Sequence, residues 1–350
     1  MKSPLKFDLS FKSLPRGSLR IPLHKSVTED WSPRPLSYQE RSQTEKPVAC
    51  LSVAIATLNR PDKISRCLNS LLAGKVLPAE VIVVDQSQDE LTRRAVEQNI
   101  SDWQRAAPDK SSIVYLRQQV RGVSASRNLA FSHARFSVVA VTDDDCVVDQ
   151  TWISAIDQVF NGPDPPTAMG GRVLPLGEAT PNSFAVSLRT SQIPVEFSGK
   201  VAPWVVGTGG NFAVARDWWQ RVANYDERLG PGSPGRAAED MDLIYKLLRA
   251  GATIQYNPNA IVYHERQTQS RRLEAWASYS YGIGSFCGKW LRHGDPYALW
   301  ILGQWFAWHG KRLVLAMVQQ QNSEVPQRAL TLKGTLLGLV HGLRKFRSDH

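Results

Sequence analysis

An apolar, β-branched segment that ends in three adjacent aspartates constrains the fold of this chain most strongly. Residues 138–141 (Val-Val-Ala-Val) predict a buried strand, and Asp143, Asp144 and Asp145 follow it almost at once. Three neighbouring carboxylates repel one another unless a cation or several hydrogen-bond donors lie among them. Because open α/β sheets bind ligands at the carboxyl ends of their strands, the segment predicts a divalent-metal site. The alternative is a solvated acidic turn.

Strands and helices alternate through the residues before this segment. The pattern predicts three earlier strands, at residues 48–56, 79–84 and 113–117, with helices between them. A strand, a helix and a second strand in so short a stretch form a right-handed βαβ unit with parallel strands. Polar residues follow the first two strands, namely Asn59 with Arg60, and Asp85. We therefore expect these side chains and the three aspartates to line one crevice.

Neither common phosphate-binding loop is present. The sequence contains no G-x-G-x-x-G fingerprint after a strand and no G-x-x-x-x-G-K-[ST] motif. If the crevice binds a nucleotide, its phosphates must be neutralised differently. A metal held by the aspartates, together with Arg60 and Arg127, would do so electrostatically.

Two glycine-rich stretches follow the aspartates. Residues 204–214 predict a strand interrupted by Gly209 and Gly210, where the backbone can approach a ligand closely. Residues 230–235 (Gly-Pro-Gly-Ser-Pro-Gly) have the composition of a mobile lid. Carboxylates then begin a helix predicted over residues 241–250, where the helix dipole stabilises negative charge.

The net charge of +10 is concentrated at the two ends of the chain. Residues 1–47 carry nine Lys/Arg against five Asp/Glu, and residues 266–350 carry twelve against four. The middle of the chain is close to neutral. This distribution favours an anionic surface as partner and argues against a nucleic-acid-binding core.

Residues 271–350 combine aromatic and basic residues on predicted amphipathic helices. Such helices suit the lipid interface, which predicts peripheral attachment to the inner face of the plasma membrane. The alternative is that the aromatic side chains pack these helices onto the rest of the protein. The four cysteines are scattered and the first residues lack the apolar stretch of a secretory leader, so a cytoplasmic location is expected.

The ordered features resemble the inverting family-2 nucleotide-sugar glycosyltransferases of the GT-A fold. The resemblance covers about residues 48–270. It rests on five segments in order, which are Thr57-Leu58-Asn59-Arg60, the strand ending at Asp85, the Gly122 to Asn128 segment, Asp143-Asp144-Asp145, and Gly209-Gly210-Asn211-Phe212 followed by Glu239-Asp240. It implies an α/β fold with a GT-A-type mixed, mostly parallel sheet flanked by helices, including a Rossmann-like nucleotide-binding half. Residues 1–47 mix Pro, Ser, Lys and Arg without periodicity, which predicts a basic, mostly disordered arm before this domain, and C-terminal amphipathic helices (271–350) would follow it.

The resemblance also implies roles for individual residues. Asp240 resembles the catalytic base that deprotonates the acceptor hydroxyl. The residues that resemble metal ligands for Mg²⁺ or Mn²⁺ are Asp143, Asp145 and His264. The residues that resemble donor-binding groups are Thr57, Asn59, Arg60, Asp85, Arg127 and Asp144. The residues assigned to the acceptor or the transferred sugar are Gly209, Gly210, Asn211 and Glu239.

The first of these motifs departs from the family pattern. Leu58 stands where the family commonly has an aromatic residue, which removes a stacking surface for the nucleotide base. The expected donor is a UDP- or dTDP-sugar, and the expected acceptor is a glycan or lipid-linked hydroxyl in polysaccharide, glycolipid or cell-envelope assembly. The alternatives are a nucleotidyltransferase, which usually has a basic glycine-rich loop after the first strand, and a non-catalytic nucleotide-sugar-binding protein.

Overall fold

The structure is a computed structural model that describes residues 46–107, 110–320 and 324–346. The expected N-terminal arm lies outside the described residues, apart from Lys46 and Pro47. The strands are β1 (Val48–Thr57), β2 (Leu77–Asp85), β3 (Ser112–Arg117), β4 (Val138–Asp143), β5 (Cys146–Val148), β6 (Ala168–Pro175), β7 (Val195–Phe197), β8 (Asn211–Ala215) and β9 (Ile254–His264). The helices are α1 (Pro61–Leu72), α2 (Leu91–Ala106), α3 (Val123–His133), α4 (Trp152–Phe160), α5 (Arg216–Arg221), α6 (Glu239–Arg249), α7 (Gln269–Arg292), α8 (Tyr297–Val318) and α9 (Glu324–Lys345).

The N-terminal half forms the expected parallel sheet. Strands β3, β2, β1 and β4 are neighbours in that order, and every pair among them is parallel. The register places Thr57 beside Asp85 and Ala56 beside Asp143. The carboxyl ends of these strands therefore lie side by side, which confirms the expected crevice edge.

The second half extends the sheet with mixed pairings. Strand β8 pairs antiparallel with both β4 and β6, β6 runs parallel to β9, and β5 and β7 pair antiparallel with β9. The expected mixed α/β sheet flanked by helices is confirmed. The prediction of a strand over residues 204–214 is wrong in its first part, because residues 203–205 form a 3₁₀ turn and β8 begins only at Asn211.

Two apolar clusters bury the faces of the sheet. Helices α1, α2 and α4 cover one face, with Trp103 and Trp152 fully buried there. Helices α3, α5 and α6 cover the other face, where Phe131 packs against Trp219 at 4.8 Å between ring centroids. A helical layer on each face leaves the strand ends at the crevice open for a ligand.

Helix α6 also supports the C-terminal helices. Tyr245 lies in a third apolar cluster and contacts the rings of Phe286 and Trp290 on α7. Beside it, the buried Lys289 Nζ lies 2.8 Å from carboxylate oxygens of both Asp226 and Asp242. Several aromatic residues of the C-terminal region therefore pack inward, as the alternative interpretation of that region expects.

Helices α7 and α9 approach each other through glycines. A Cβ atom on Gly338 would lie 1.9 Å from the Tyr281 carbonyl oxygen, and one on Gly284 would lie 2.0 Å from the Thr335 carbonyl oxygen. Only glycine permits backbones to lie so close. Within the described part of the chain, no helix combines the length and apolarity needed to cross a membrane.

We expect Gly338→Ala to destabilise the protein by about 1–3 kcal/mol, because the added methyl group must push α9 away from α7. Urea unfolding followed by circular dichroism measures the change. Gly303→Ala on α8 is the matched control, because a Cβ there meets open space among the described residues. The control should be neutral or stabilising by up to about 1 kcal/mol. Equal effects for the two variants would contradict the close-packed interface.

Candidate active site

The end of β1 and the aspartate turn are bound to each other. Thr57 Oγ1 donates to Asp144 Oδ2 at 2.8 Å, and Arg60 Nη1 donates to Asp144 Oδ1 at 2.8 Å and to Asp145 Oδ2 at 3.3 Å. Burial raises the pKa of Asp144 to about 6, against the opposing effect of the Arg60 charge. Three residues predicted to bind the donor thus meet at one place, where Arg60 remains partly exposed.

Four potential metal ligands converge next to this turn. One ligand atom from each of Asp143, Asp145, Cys146 and His264 lies within 4.8 Å of the others. The cluster forms because β5 starts directly after the aspartates and pairs with β9 in a register that places Cys146 opposite His264. Sequence reasoning missed Cys146, although its position immediately after the aspartates and before an apolar pair was a usable signal.

The orientation of His264 suits metal binding. Its Nδ1 lies 2.8 Å from the Glu265 carbonyl oxygen, which can only accept, so this nitrogen carries the hydrogen. Its Nε2, which then has the free lone pair, lies 3.6 Å from Asp145 Oδ1. A carbonyl that fixes the tautomer in this way is the usual support of a metal-binding histidine. Two carboxylates and one such imidazole fit a divalent cation.

Arg127 links the cluster of potential metal ligands to the start of α6. This cluster, called the metal-type cluster below, consists of Asp143, Asp145, Cys146 and His264. The Arg127 guanidinium is buried and donates to Asp143 Oδ1 at 3.0 Å, to Glu239 Oε1 at 3.0 Å and to the Gly209 carbonyl at 3.4 Å. Burial opposes its charge, but the surrounding acidic groups outweigh this and raise the pKa of Arg127. Its predicted contact with the donor stays a prediction, and in the structure its bonds go to the protein.

The two glycines before β8 make room for this arrangement. A Cβ on Gly209 would lie 2.8 Å from Arg127 Nη1, and one on Gly210 would lie 2.8 Å from Asp143 Oδ2. Asn211, predicted to bind the acceptor or sugar, uses its amide inside the fold. It accepts from the Trp152 indole at 2.9 Å and donates to two backbone carbonyls. The sugar- or acceptor-binding roles of all three residues stay predictions.

Glu239 and Asp240 form the first turn of α6 and have different surroundings. Glu239 is buried, and burial together with the charge of Asp240 raises its pKa to about 7 against the effect of Arg127. Asp240 is partly exposed, and its carboxylate accepts the backbone N–H groups of Gly209 at 2.9 Å and of Met241 at 2.8 Å. Ala238 before them has φ +71°, a left-handed conformation that is costly for a residue with a Cβ.

The expected lid over residues 230–235 is hydrogen-bonded to its surroundings in the structure. Val123 N–H donates to the Pro231 carbonyl at 3.0 Å, and Gly235 N–H donates to the Arg228 carbonyl at 2.8 Å. Gly230 and Gly232 both have positive φ, and Gly232 faces Gly122 across a gap that leaves little space for a side chain. This segment fixes the entry to α6 against the start of α3.

Asp85 is fully buried at the end of β2. Its carboxylate accepts the Tyr115 hydroxyl at 2.8 Å and the Ser87 N–H at 2.8 Å, so both oxygens have protein partners. Its expected contact with the nucleotide base stays a prediction. Sequence reasoning missed Tyr115, whose pairing with Asp85 depends on the β2–β3 register.

The loop after β1 borders a shallow pocket of about 370 Å³. Asn59 holds the loop in a left-handed conformation, with φ +53°, while its N–H donates to Ser87 Oγ at 2.7 Å. The pocket is lined by Leu58, Asn59, Arg60, Pro61, Asp62, Lys63 and Arg271. Three cationic side chains at one opening can attract an anionic ligand.

We expect the stability of the protein to depend on pH through Glu239. Because its folded-state pKa of about 7 exceeds the ordinary 4.5, its contribution is fully present below about pH 4.5 and is lost as pH rises through about 7. Between pH 5 and 8 the free energy of unfolding should therefore fall relative to that of Glu239→Gln, by about 2–3 kcal/mol. Urea titrations in chelator-containing buffer measure this difference. Parallel pH profiles for the two proteins would contradict the assignment.

Comparisons with known proteins agree with this geometry. Residues 52–200 match Glycosyl transferase family 2, and residues 138–339 match Glycosyl transferase family group 2. The mannosyltransferase from Pyrobaculum calidifontis, in complex with GDP-Man and Mn²⁺, shares the fold with a TM-score of 0.54 at 16% identity, covering 87% of this chain and 89% of that one.

Curated relatives match part of this chain. A glucosyl-dolichyl phosphate glucuronosyltransferase from Haloferax volcanii is 27% identical over 237 residues, covering 61% of this chain and 69% of the relative. The Pasteurella multocida hyaluronan synthase is 25% identical over 61% of this chain, and the match spans only 24% of the synthase. Since one family match covers more than half of the chain, the protein belongs to glycosyl transferase family group 2 and is a glycosyltransferase.

Proposed function

We propose that this protein transfers a sugar from a nucleotide-diphosphate donor to an acceptor hydroxyl, with inversion at the anomeric carbon and dependence on a divalent metal. One observation carries the proposal. The buried Arg127 side chain bridges the partly exposed Asp143 of the metal-type cluster and the buried Glu239, the residue next to Asp240. Groups that could neutralise a leaving diphosphate, and a carboxylate that could deprotonate an acceptor hydroxyl, thus belong to one crevice.

Asp143, Asp145 and His264 would hold the metal, which is Mg²⁺ or Mn²⁺. Carboxylate oxygens suit both Mn²⁺ and Mg²⁺. When bound, the ion supplies Lewis-acid neutralisation of the charge that develops on the leaving diphosphate. Arg60, already directed at Asp144 and Asp145, lies partly exposed at the same edge and would add positive charge for the phosphates.

Asp240 is the proposed base. A base must reach the acceptor hydroxyl, and Asp240 is partly exposed whereas Glu239 is buried and paired with Arg127. The N–H groups of Gly209 and Met241 hold the Asp240 carboxylate in one orientation. If the base and the leaving group act on opposite faces of the sugar, a single displacement inverts the anomeric centre. Glu239 then serves as a support for the base and for Arg127.

The donor is proposed to be a UDP- or dTDP-sugar and the acceptor a glycan or lipid-linked hydroxyl. The pocket beside Asn59 and Arg60, with three cationic side chains on its rim, supports binding of the donor there. Relatives named as a dolichyl phosphate glucuronosyltransferase and a hyaluronan synthase support a role in glycolipid or polysaccharide synthesis. A cytoplasmic location at the membrane surface would bring the enzyme to lipid-linked acceptors.

We expect Asp240→Asn to lower the transfer rate by roughly 10²–10⁴-fold, because the amide cannot take the acceptor proton. Donor binding, measured by thermal shift with each nucleotide sugar, should persist. Asp217→Asn is the matched control, because Asp217 is an exposed aspartate in the first turn of α5. Transfer at the unmutated rate by Asp240→Asn would refute the base assignment.

We expect the Asp143→Ala, Asp145→Ala double variant to bind Mn²⁺ at least about 100-fold more weakly, because it loses two carboxylate ligands. Isothermal titration with Mn²⁺, and donor binding with and without chelator, measure the effect. Asp164→Ala removes an exposed aspartate elsewhere and should leave both unchanged. Donor affinity that does not respond to chelator in the unmutated protein would refute the metal dependence.

A further inference from the structure

Large apolar side chains are exposed mainly on two helices. Of the eighteen exposed large apolar side chains in the described residues, twelve lie on α8 and α9. Isolated exposed leucines are common on protein surfaces, but such a concentration marks a surface that something else covers.

Helix α9 has the reverse of the pattern expected for a helix in water. Apart from Arg328, its buried positions hold small residues, namely Thr331, Thr335, Gly338 and Gly342. Its exposed positions include the basic Lys333, Arg344 and Lys345, but also five large aliphatic residues, namely Leu330, Leu336, Leu337, Val340 and Leu343. A helix on a water-soluble core buries its large apolar residues and exposes polar ones. Small residues between helices, with large apolar residues facing outward, are typical of helices surrounded by lipid.

Helix α8 is apolar on both sides. Its inner side contributes Ile301 and Leu302 to the third apolar cluster. Its outer side exposes Leu299, Trp300, Val314, Met317 and Val318. The two helices are in contact, because the Trp305 indole N–H donates to Thr335 Oγ1 at 3.0 Å. Their exposed side chains together are called the α8–α9 outer surface below.

The charges around this surface identify the covering partner. Residues 297–345 contain six Lys/Arg and one Asp/Glu, and that acid, Glu324, is paired with Arg328 at 3.2 Å. Arg312 lies over the exposed Trp308 ring at 4.4 Å, so a cation and an amphipathic aromatic side chain are held together. Tryptophan and basic residues are enriched where proteins meet the headgroups of a bilayer.

We propose that the α8–α9 outer surface lies in the headgroup region of an anionic lipid bilayer and attaches the protein to it as a peripheral membrane protein. No helix in the described ranges can span a bilayer, so the helices lie in the plane of the interface. A second copy of the chain fits less well, because a symmetric dimer would bring two sets of basic residues together without acidic partners. The inference stands independently of sugar transfer.

Flotation of the full chain with vesicles tests this proposal. The unmutated protein should float with vesicles of equimolar phosphatidylcholine and phosphatidylglycerol, and more weakly with phosphatidylcholine alone. Leu336→Glu with Val340→Glu places two charges on the α9 part of the surface and should weaken binding about tenfold or more. Val314→Glu with Val318→Glu makes the same change on α8. Ile193→Glu, at an apolar position that is 70% exposed elsewhere, is the matched control and should bind as the unmutated protein does.

Thermal unfolding and hydrolysis of the nucleotide sugar without acceptor confirm that the variants are folded and that the active site is intact. Failure of the unmutated protein to float, or equal flotation of all variants, would overturn the proposal. Sedimentation without vesicles measures whether a second copy of the chain covers this surface instead. A dimer that the α8 or α9 variants dissociate would assign the surface to a second copy instead. Because flotation needs no turnover, its failure leaves the proposed sugar transfer untouched.

Discussion

The convergence of carboxylates at the ends of neighbouring strands is the constraint on which this site depends. Asp143, Asp144, Asp145 and Glu239 belong to one crevice, and two like charges about 4 Å apart near a protein surface repel by roughly 4 kcal/mol. Arg127 pairs with Asp143 and Glu239. Arg60 pairs with Asp144 and Asp145. The arginines therefore hold together a set of charges that would otherwise separate.

This balance also explains the glycines. A side chain at position 209 or 210 would displace the Arg127 guanidinium or the Asp143 carboxylate from its present place. The glycines were expected to let a ligand approach the backbone, whereas in the structure the groups that approach it belong to the protein. Carboxylates outnumber arginines at this crevice, so binding of a divalent ion there would add the missing positive charge. This excess of negative charge favours a cation site over a solvated acidic turn.

Local sequence patterns predicted the first four strands, the helices between them and the crevice edge, because burial and helix periodicity are encoded within each segment. The βαβ unit and the strand ends at Thr57, Asp85 and Asp143 follow from such patterns. Contacts that depend on register between distant strands could not be predicted in this way. Cys146 lies opposite His264 only because β5 pairs antiparallel with β9, and nothing local in either segment specifies that pairing. The same holds for Tyr115 and Asp85.

Aromatic and basic residues distinguish the C-terminal region in the sequence, but the sequence pattern does not show that glycines bring α7 and α9 together. Inward packing holds for part of its aromatic residues, and membrane contact by the others stays a prediction. Phe286 and Trp290 pack against Tyr245, whereas Trp300 and Trp308 are exposed. A helix pair held by small residues needs few large side chains at its interface, which frees the leucines and valines of α9 for the outer surface.

The C-terminal helices are also part of the support for the active site. A Cβ on Gly282 of α7 would lie 2.7 Å from the Ala237 side chain, one residue before the left-handed Ala238 that leads into Glu239. Burial alone would raise the pKa of Asp242, but Lys289 of α7 and Lys246 hold it below its ordinary value. Removing α7 would leave Asp242 without the Lys289 charge, and breaking a buried ion pair costs about 3–5 kcal/mol. Truncation of residues 271–350 would therefore disturb the first turn of α6 together with any membrane contact, so only substitutions on the outer surface can separate the two.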